Sequence, residues 1–168
     1  NRKFKRASCG KNYTLYLTEE TNDQKEELLL CFNRCPNLEP IKIQFGDNSI
    51  KIIKTGKTRI GIVDDKDNIY LVEKKEIEAD HSIKAKKIDH PIKNGIKDIC
   101  ICENFICILS NEGIVYGNEE INKNRKNFTQ VPFPPFHSKI QKVVGTHFHC
   151  IAIDESKNVF VYNYTGSG

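Results

Sequence analysis

The chain has no methionine, no tryptophan and only 9% aromatic residues among its 168. No apolar run approaches the length a bilayer span needs, so a soluble protein with no membrane segment is expected. The basic opening NRKFKR is followed by no apolar signal core, which gives no support for secretion. The missing methionine points to a processed chain or a piece of a longer one. Nor is there a strong excess of one charge. The net charge of +4 comes from 26 basic and 22 acidic residues, and the isoelectric point is near 8.6. A nucleic-acid binder usually gathers its basic residues on one face, with a domain value above about 9. Here Lys and Arg are spread over every polar stretch, which argues against nucleic acid as the main partner.

A glycine is also missing where it would matter most. Residues 50–63 read IKIIKTGKTRIGIV, and Gly56-Lys57-Thr58 looks like the end of a phosphate-binding loop. Such a loop needs a second glycine five residues before Gly56, so that backbone N–H groups can curl around a phosphate at a helix N-terminus. That position is Lys51, and the residues after Thr58 are β-rich where a helix should open. No nucleotide cofactor is expected, and no other cofactor.

Seven cysteines cannot all pair, and Cys100, Cys102, Cys107 and Cys150 stand in apolar runs where Cys acts as a small buried hydrophobe. This usage suits a reducing, intracellular compartment, cytoplasmic or nuclear. The pairs Cys31/Cys35 and Cys100/Cys102, and the cluster His147, His149, Cys150, offer metal-ligating types. Structural zinc, however, wants four ligands, usually from two closely spaced pairs. No second pair stands at a suitable spacing, so no metal site is expected. The sequons at Asn12, Asn127 and Asn163 would matter only in a secreted protein.

What is present is a repeat. Four blocks align without gaps: FKRASCGKNY (4–13), SIKIIKTGKT (49–58), IKDICICENF (96–105) and IQKVVGTHFH (140–149). Each runs directly into a second apolar stretch, TLYL (14–17), RIGI (59–62), ICIL (106–109) and CIAI (150–153). A polar turn and a third stretch follow: LLCF (29–32), IYLV (69–72), VYGN (115–118) and VFVY (159–162). In this alignment Tyr13, Thr58, Phe105 and His149 correspond, at separations of 45, 47 and 44 residues. Leu15, Ile60, Cys107 and Ile151 are then expected at equivalent buried sites. Turns at 64–68, near Gly113 and at 154–158 carry the Asp, Asn and Gly that hairpins favour. Pro-containing segments lead from each unit to the next and block continuation of helix or central strand. No segment shows a sustained 3.6-residue period. The fold expected is all-β: three and a half β-propeller blades of about 45 residues, forming one segment over residues 1–168 with repeats starting near 4, 49, 96 and 140. Gly56-Lys57-Thr58 then lies in a bend between strands, where the other repeats place chemically unrelated residues.

These units resemble the regulator-of-chromosome-condensation (RCC1-like) repeat in degenerate form. Repeat four keeps His149, Ala152, Val159 and Phe160, with Tyr162 and Asn163 where the family prefers Trp and Gly. Repeat three keeps Gly113, Val115 and Tyr116 but has Phe105 for the His. WD-type repeats of similar length would show a Trp-Asp dipeptide, which is absent. The resemblance implies a larger propeller, its remaining blades supplied by the parent chain or by a second chain. It also implies function on face loops: a protein-interaction scaffold or, alternatively, a guanine-nucleotide exchange factor for a small Ran-like GTPase, or a chromatin-binding propeller. His149 falls in the family's structural His slot, whereas His147, beyond Phe148, should be exposed. No nucleophile, base and orienting group converge in the sequence, so no enzymatic activity is expected. The candidate partner-facing residues are Lys123, Arg125, Lys126 and His147, with Lys84, Lys86 and Lys87 as a second basic group.

Overall fold

A computed structural model describes residues 3–22, 25–33, 39–73, 83–103, 105–118, 128–134 and 138–163. These residues form strands and turns only, and among them no helix is long and apolar enough to cross a membrane. The strands are β1 (Phe4–Cys9), β2 (Tyr13–Thr18), β3 (Leu28–Phe32), β4 (Ile41–Gln44), β5 (Ile50–Thr55), β6 (Arg59–Asp64), β7 (Ile69–Glu73) and β8 (Ile83–Lys84). They continue as β9 (Lys86–Ile88), β10 (Ile96–Ile101), β11 (Ile106–Ser110), β12 (Val115–Asn118), β13 (Phe128–Gln130), β14 (Ile140–Gly145), β15 (His149–Asp154) and β16 (Val159–Asn163). Four sheets result, ordered β1-β2-β3-β4-β8, β5-β6-β7-β9, β10-β11-β12-β13 and β14-β15-β16. All the described pairings within a repeat are antiparallel, and β8 joins β4 in parallel. The chain divides into two compact units, Asn1–Lys87 and Ile88–Gly168.

Alternation along the strands builds each core. In the first unit Leu15, Leu17, Leu28 and Leu30 of the first sheet pack with Ile50, Ile53, Ile60 and Ile62 of the second. In the second unit Cys100, Cys107, Leu109 and Val115 of the third sheet pack with Ile140, Val143, Cys150 and Ala152 of the fourth. Within each unit one face of the first of its two sheets thus meets the opposite face of the second, as sheet stacking requires when successive side chains point to opposite sides.

The strand register corrects the sequence alignment of repeat two by one residue. Pairing places Thr18, Asp64, Ser110 and Asp154 at equivalent ends of the second strands, opposite Phe4, Ile50, Ile96 and Ile140. Counting back, Tyr13, Arg59, Phe105 and His149 correspond, not Thr58, and the counterpart of Leu15, Cys107 and Ile151 is Gly61. Ile60 instead matches Thr14, Ile106 and Cys150. A one-residue slip reverses which face a side chain occupies, and this is why Ile60 packs from the opposite side to Leu15. The expected burial also fails at Ile151, which is only half-buried, while Leu15, Ile60 and Cys107 are fully buried.

Each first strand carries a bulge at the same place, between Phe4 and Arg6, Ile50 and Ile52, Ile96 and Asp98, and Ile140 and Lys142. The residue left out of the ladder is Lys5, Lys51, Lys97 or Gln141. The Arg6 guanidinium donates to the carbonyl of Lys51, and the Lys51 ammonium pairs with Asp67 at 2.8 Å.

The hairpin turns rest on buried acceptors. Asp64 accepts the backbone N–H groups of Lys66 and Asn68 at 3.0 and 2.8 Å, and the side-chain amides of Asn48 and Asn68 at 2.8 and 2.7 Å. Asp154 repeats this with Asn158 N–H at 2.8 Å, the Asn158 amide at 3.0 Å and Ser138 N–H at 3.2 Å. Ser110 does the same work with one hydroxyl, accepting from Ile114 N–H at 3.2 Å. Three residues past each acceptor the backbone turns to positive φ, at Asp67 (61°), Gly113 (84°) and Lys157 (68°). At Gly113 a Cβ would also stand 2.8 Å from the Lys139 side chain.

Leu15→Ala should cost about 2–5 kcal/mol in a urea melt, as other buried large-to-small changes do; Ile151→Ala, at the equivalent but half-exposed position, should cost less than half as much. The turn carboxylates predict an acid-sensitive fold. Burial alone would raise the pKa of Asp154, but the donors from Asn158 and Ser138 outweigh it and hold the group at about 2, below its ordinary 3.8. Asp64 is lowered in the same way, burial being outweighed by Asn68, Asn48 and Lys66. A folded-state pKa below the unfolded value stabilises above pH 4 and loses that contribution as pH falls toward 2. Thermal melts should therefore show a falling Tm across that window, with a shallower fall in Asp154→Asn.

Candidate interaction surface

At one end of each repeat, first and second strands join through the same bend, closed by Gly10 N–H to Tyr13 O, Gly56 to Arg59 and Thr146 to His149 at 2.8 Å, and Cys102 to Phe105 at 3.0 Å. Gly56-Lys57-Thr58 is therefore a strand-to-strand bend with no helix behind it. The slot after the bend holds an unrelated side chain each time. The Tyr13 hydroxyl donates to the carbonyls of Gly56 and Arg59 at 2.9 and 3.1 Å, and burial raises its pKa to about 12. Arg59 is buried and ion-paired with Glu73 at 3.3 Å. Phe105 sits edge-on to Tyr162 with ring centroids 6.0 Å apart. His149 is half-buried, with its Nδ1 3.3 Å from the Thr146 hydroxyl.

His147 lies in the last of these bends. It is half-exposed, its Nε2 is in contact with the carboxylate of Glu103 in the preceding bend, and Glu103 N–H donates to His147 O at 3.0 Å. Its ring stands edge-on to exposed Phe148 at 4.0 Å. Lys123, Arg125 and Lys126 lie outside the described residues. Lys84, Lys86 and Lys87 are exposed on or beside β8 and β9.

Among the described residues, three of the exposed large hydrophobics gather on one face of the fourth sheet. Register makes Val144 the counterpart of Cys100, Ile151 of Cys107, Ile153 of Leu109, Val159 of Val115 and Val161 of Gly117. In the third sheet that face is buried against the fourth, with Cys107 and Leu109 0% exposed. In the fourth sheet it is open: Val144 is 43%, Val159 61% and Val161 59% exposed. Contiguous exposed aliphatic side chains on one face mark an interaction surface.

Inside the second unit three thiols meet, with a fourth beside them. Cys100 and Cys107 face each other across β10 and β11, and Cys150 arrives from β15 with its sulfur 3.4 Å from that of Cys100. Cys102 turns away to the carbonyl of His149 at 3.3 Å. Sulfur contacts govern their acidity: neighbouring thiols and burial push Cys102 and Cys107 up, while donation from Cys100 and Cys107 pulls Cys150 down to about 5. The spacing rules for metal ligands overlooked this group because it is assembled from three strands of two sheets. The four-repeat alignment held the signal, in a concentration of Cys where other repeats carry Ser, Leu and Ile.

No family model matches the chain, and no curated protein matches it in sequence. Solved structures match it closely in fold. Human WBSCR16 superposes with a TM-score of 0.72 at 12% identity, over 97% of this chain and 48% of that protein. Prp20p of Saccharomyces cerevisiae, the yeast RCC1, gives 0.68 at 16%, over 97% and 46%. The WD40 domain of Toxoplasma gondii coronin gives 0.63 at 11%, over 94% and 42%. The chain has the fold of β-propeller blades. It spans about half the length of the solved propellers it matches.

With Gly56-Lys57-Thr58 in a β-bend, Lys57→Ala should change nothing in an equilibrium binding measurement with ATP or GTP. Micromolar nucleotide affinity lost in this variant would contradict the bend reading.

Proposed function

We propose that the chain is part of a propeller scaffold that holds other proteins and catalyses no reaction by itself. The observation that carries this reading is the open apolar face of the fourth sheet, the counterpart of the face by which the third sheet receives its neighbour. Such a face suits a further blade, from the same polypeptide or from a second one, and leaves the loops and bends free for partners. The neighbours support protein binding in general: Prp20p has been solved bound to Kap60, and its structure was described together with its binding to Gsp1p and histones. His147, Lys123, Arg125 and Lys126 are the proposed partner-facing residues. The described cysteines are free thiols, which supports the proposed intracellular setting, cytoplasmic or nuclear.

The Gsp1p and histone binding of Prp20p keeps a second reading alive, in which the parent protein drives nucleotide exchange on a small GTPase or contacts chromatin. A nucleotide-release assay on purified small GTPases, run with the complete parent protein, separates the two. The scaffold reading expects release at the intrinsic rate beside a stoichiometric complex with an identified protein; acceleration lost on cutting back the loops of one face would overturn it. If the fourth sheet is covered in the complete protein, Val159→Lys with Val161→Lys should lower its stability by about 2 kcal/mol or more, because charge is forced into an apolar contact. An unchanged Tm would show that the face is not covered.

A further inference from the structure

Within the second unit the sulfurs of Cys100, Cys107 and Cys150 all lie within 4.8 Å of one another. The three residues are 2%, 0% and 0% exposed. Their surroundings are apolar: Val115, Val131, Val143 and Ala152 share the cluster. Sheet packing does not require sulfur there. In the first unit the register equivalents are Ser8, Leu15 and Ile60, and Leu15 and Ile60 fill the same place with hydrocarbon.

We propose that Cys100, Cys107 and Cys150 form a binding site for one soft, thiophilic ion, and that it suits trivalent arsenic or antimony best. Size permits it. An ion bonded to three thiolates at roughly 2.3 Å sets their sulfurs roughly 3.5–4 Å apart, which the observed separations reach with shifts below about 1 Å. Charge makes the selection. Among apolar side chains a net charge is costly, and three thiolates leave a charge of −2 around copper(I), −1 around zinc(II) and none around a trivalent metalloid. The number of ligands agrees, because arsenic(III) is complete with three sulfurs, whereas zinc seeks a fourth ligand and the sulfur of Cys102 stands outside the close group of three.

The reaction balances without an oxidant. Arsenious acid, As(OH)3, exchanges its three hydroxyls for three thiolates. Three As–O and three S–H bonds break, three As–S bonds form, and each thiol proton leaves with a hydroxyl as water. Because the sulfurs are buried, entry waits on transient opening between the third and fourth sheets.

The test uses the full chain with Cys9→Ser, Cys31→Ser and Cys35→Ser, reduced and incubated with arsenite, and reads the intact mass under native conditions. One bound arsenic should appear with the loss of three hydrogens, together with a raised Tm, and it should persist in Cys102→Ala. It should vanish in Cys100→Ser, Cys107→Leu and Cys150→Ile, which install the residues of the equivalent place in the first unit; far-UV circular dichroism melts identify the folded variants to be scored. Zinc(II) and copper(I) should bind at least tenfold more weakly. An adduct that loses only two hydrogens and keeps a hydroxyl would overturn the proposal, as would one that survives in a folded Cys150→Ile or equal binding of zinc.

Discussion

Within each of the two units everything depends on one contact, the stacking of one sheet's aliphatic face on the opposite face of the other. A three- or four-stranded sheet with one face in water buries too little apolar surface to offset the entropy of ordering its chain. Leu15, Leu17, Leu28 and Leu30 become core only because Ile50, Ile53, Ile60 and Ile62 lie over them. The same relation joins the third sheet to the fourth. Stability is therefore shared between neighbours, as in other repeat architectures, and a sheet without a successor keeps an apolar face open.

Much of this could be read from the amino-acid string. Strand positions, turns and the all-β class followed from period-2 alternation and from the placing of Asp, Asn and Gly. The register of repeat two did not. Thr58-Arg59-Ile60 offers a plausible match in either of two frames, and the ladder is decided by the hydrogen bond from Gly56 to Arg59 together with the bulge after Ile50, neither of which has a one-letter signature. Asp64 and Asp154 stand in segments that read as polar hairpin turns, yet each is buried with both carboxylate oxygens hydrogen-bonded. Spacing cannot reveal this, because the donors include Asn48 and Ser138, each 16 residues away.

The functional features were legible to different degrees. Burial of Cys100, Cys102, Cys107 and Cys150 followed from their apolar neighbours, but their convergence did not, because Cys150 belongs to another sheet. His147 read as an exposed ring and proves to be held by Glu103, a residue that the bend of the preceding repeat supplies. Side chains that act within one hairpin leave a trace in the sequence; those that meet across sheets leave one only when repeats are aligned in the correct frame.

The recurring bulge has a consequence for behaviour in crowded solution. In each sheet the bulged strand is at the margin of the ladder, where unsatisfied amides and carbonyls invite another chain to add on and begin an aggregate. The skipped residue interrupts that template at its start, and a long polar side chain, Lys5, Lys51, Lys97 or Gln141, stands at the interruption. At Lys51 the spare carbonyl is already taken by Arg6. In a protein made of short sheets, one margin of each thus carries an interruption of the kind that hinders strand addition, repeated once per unit.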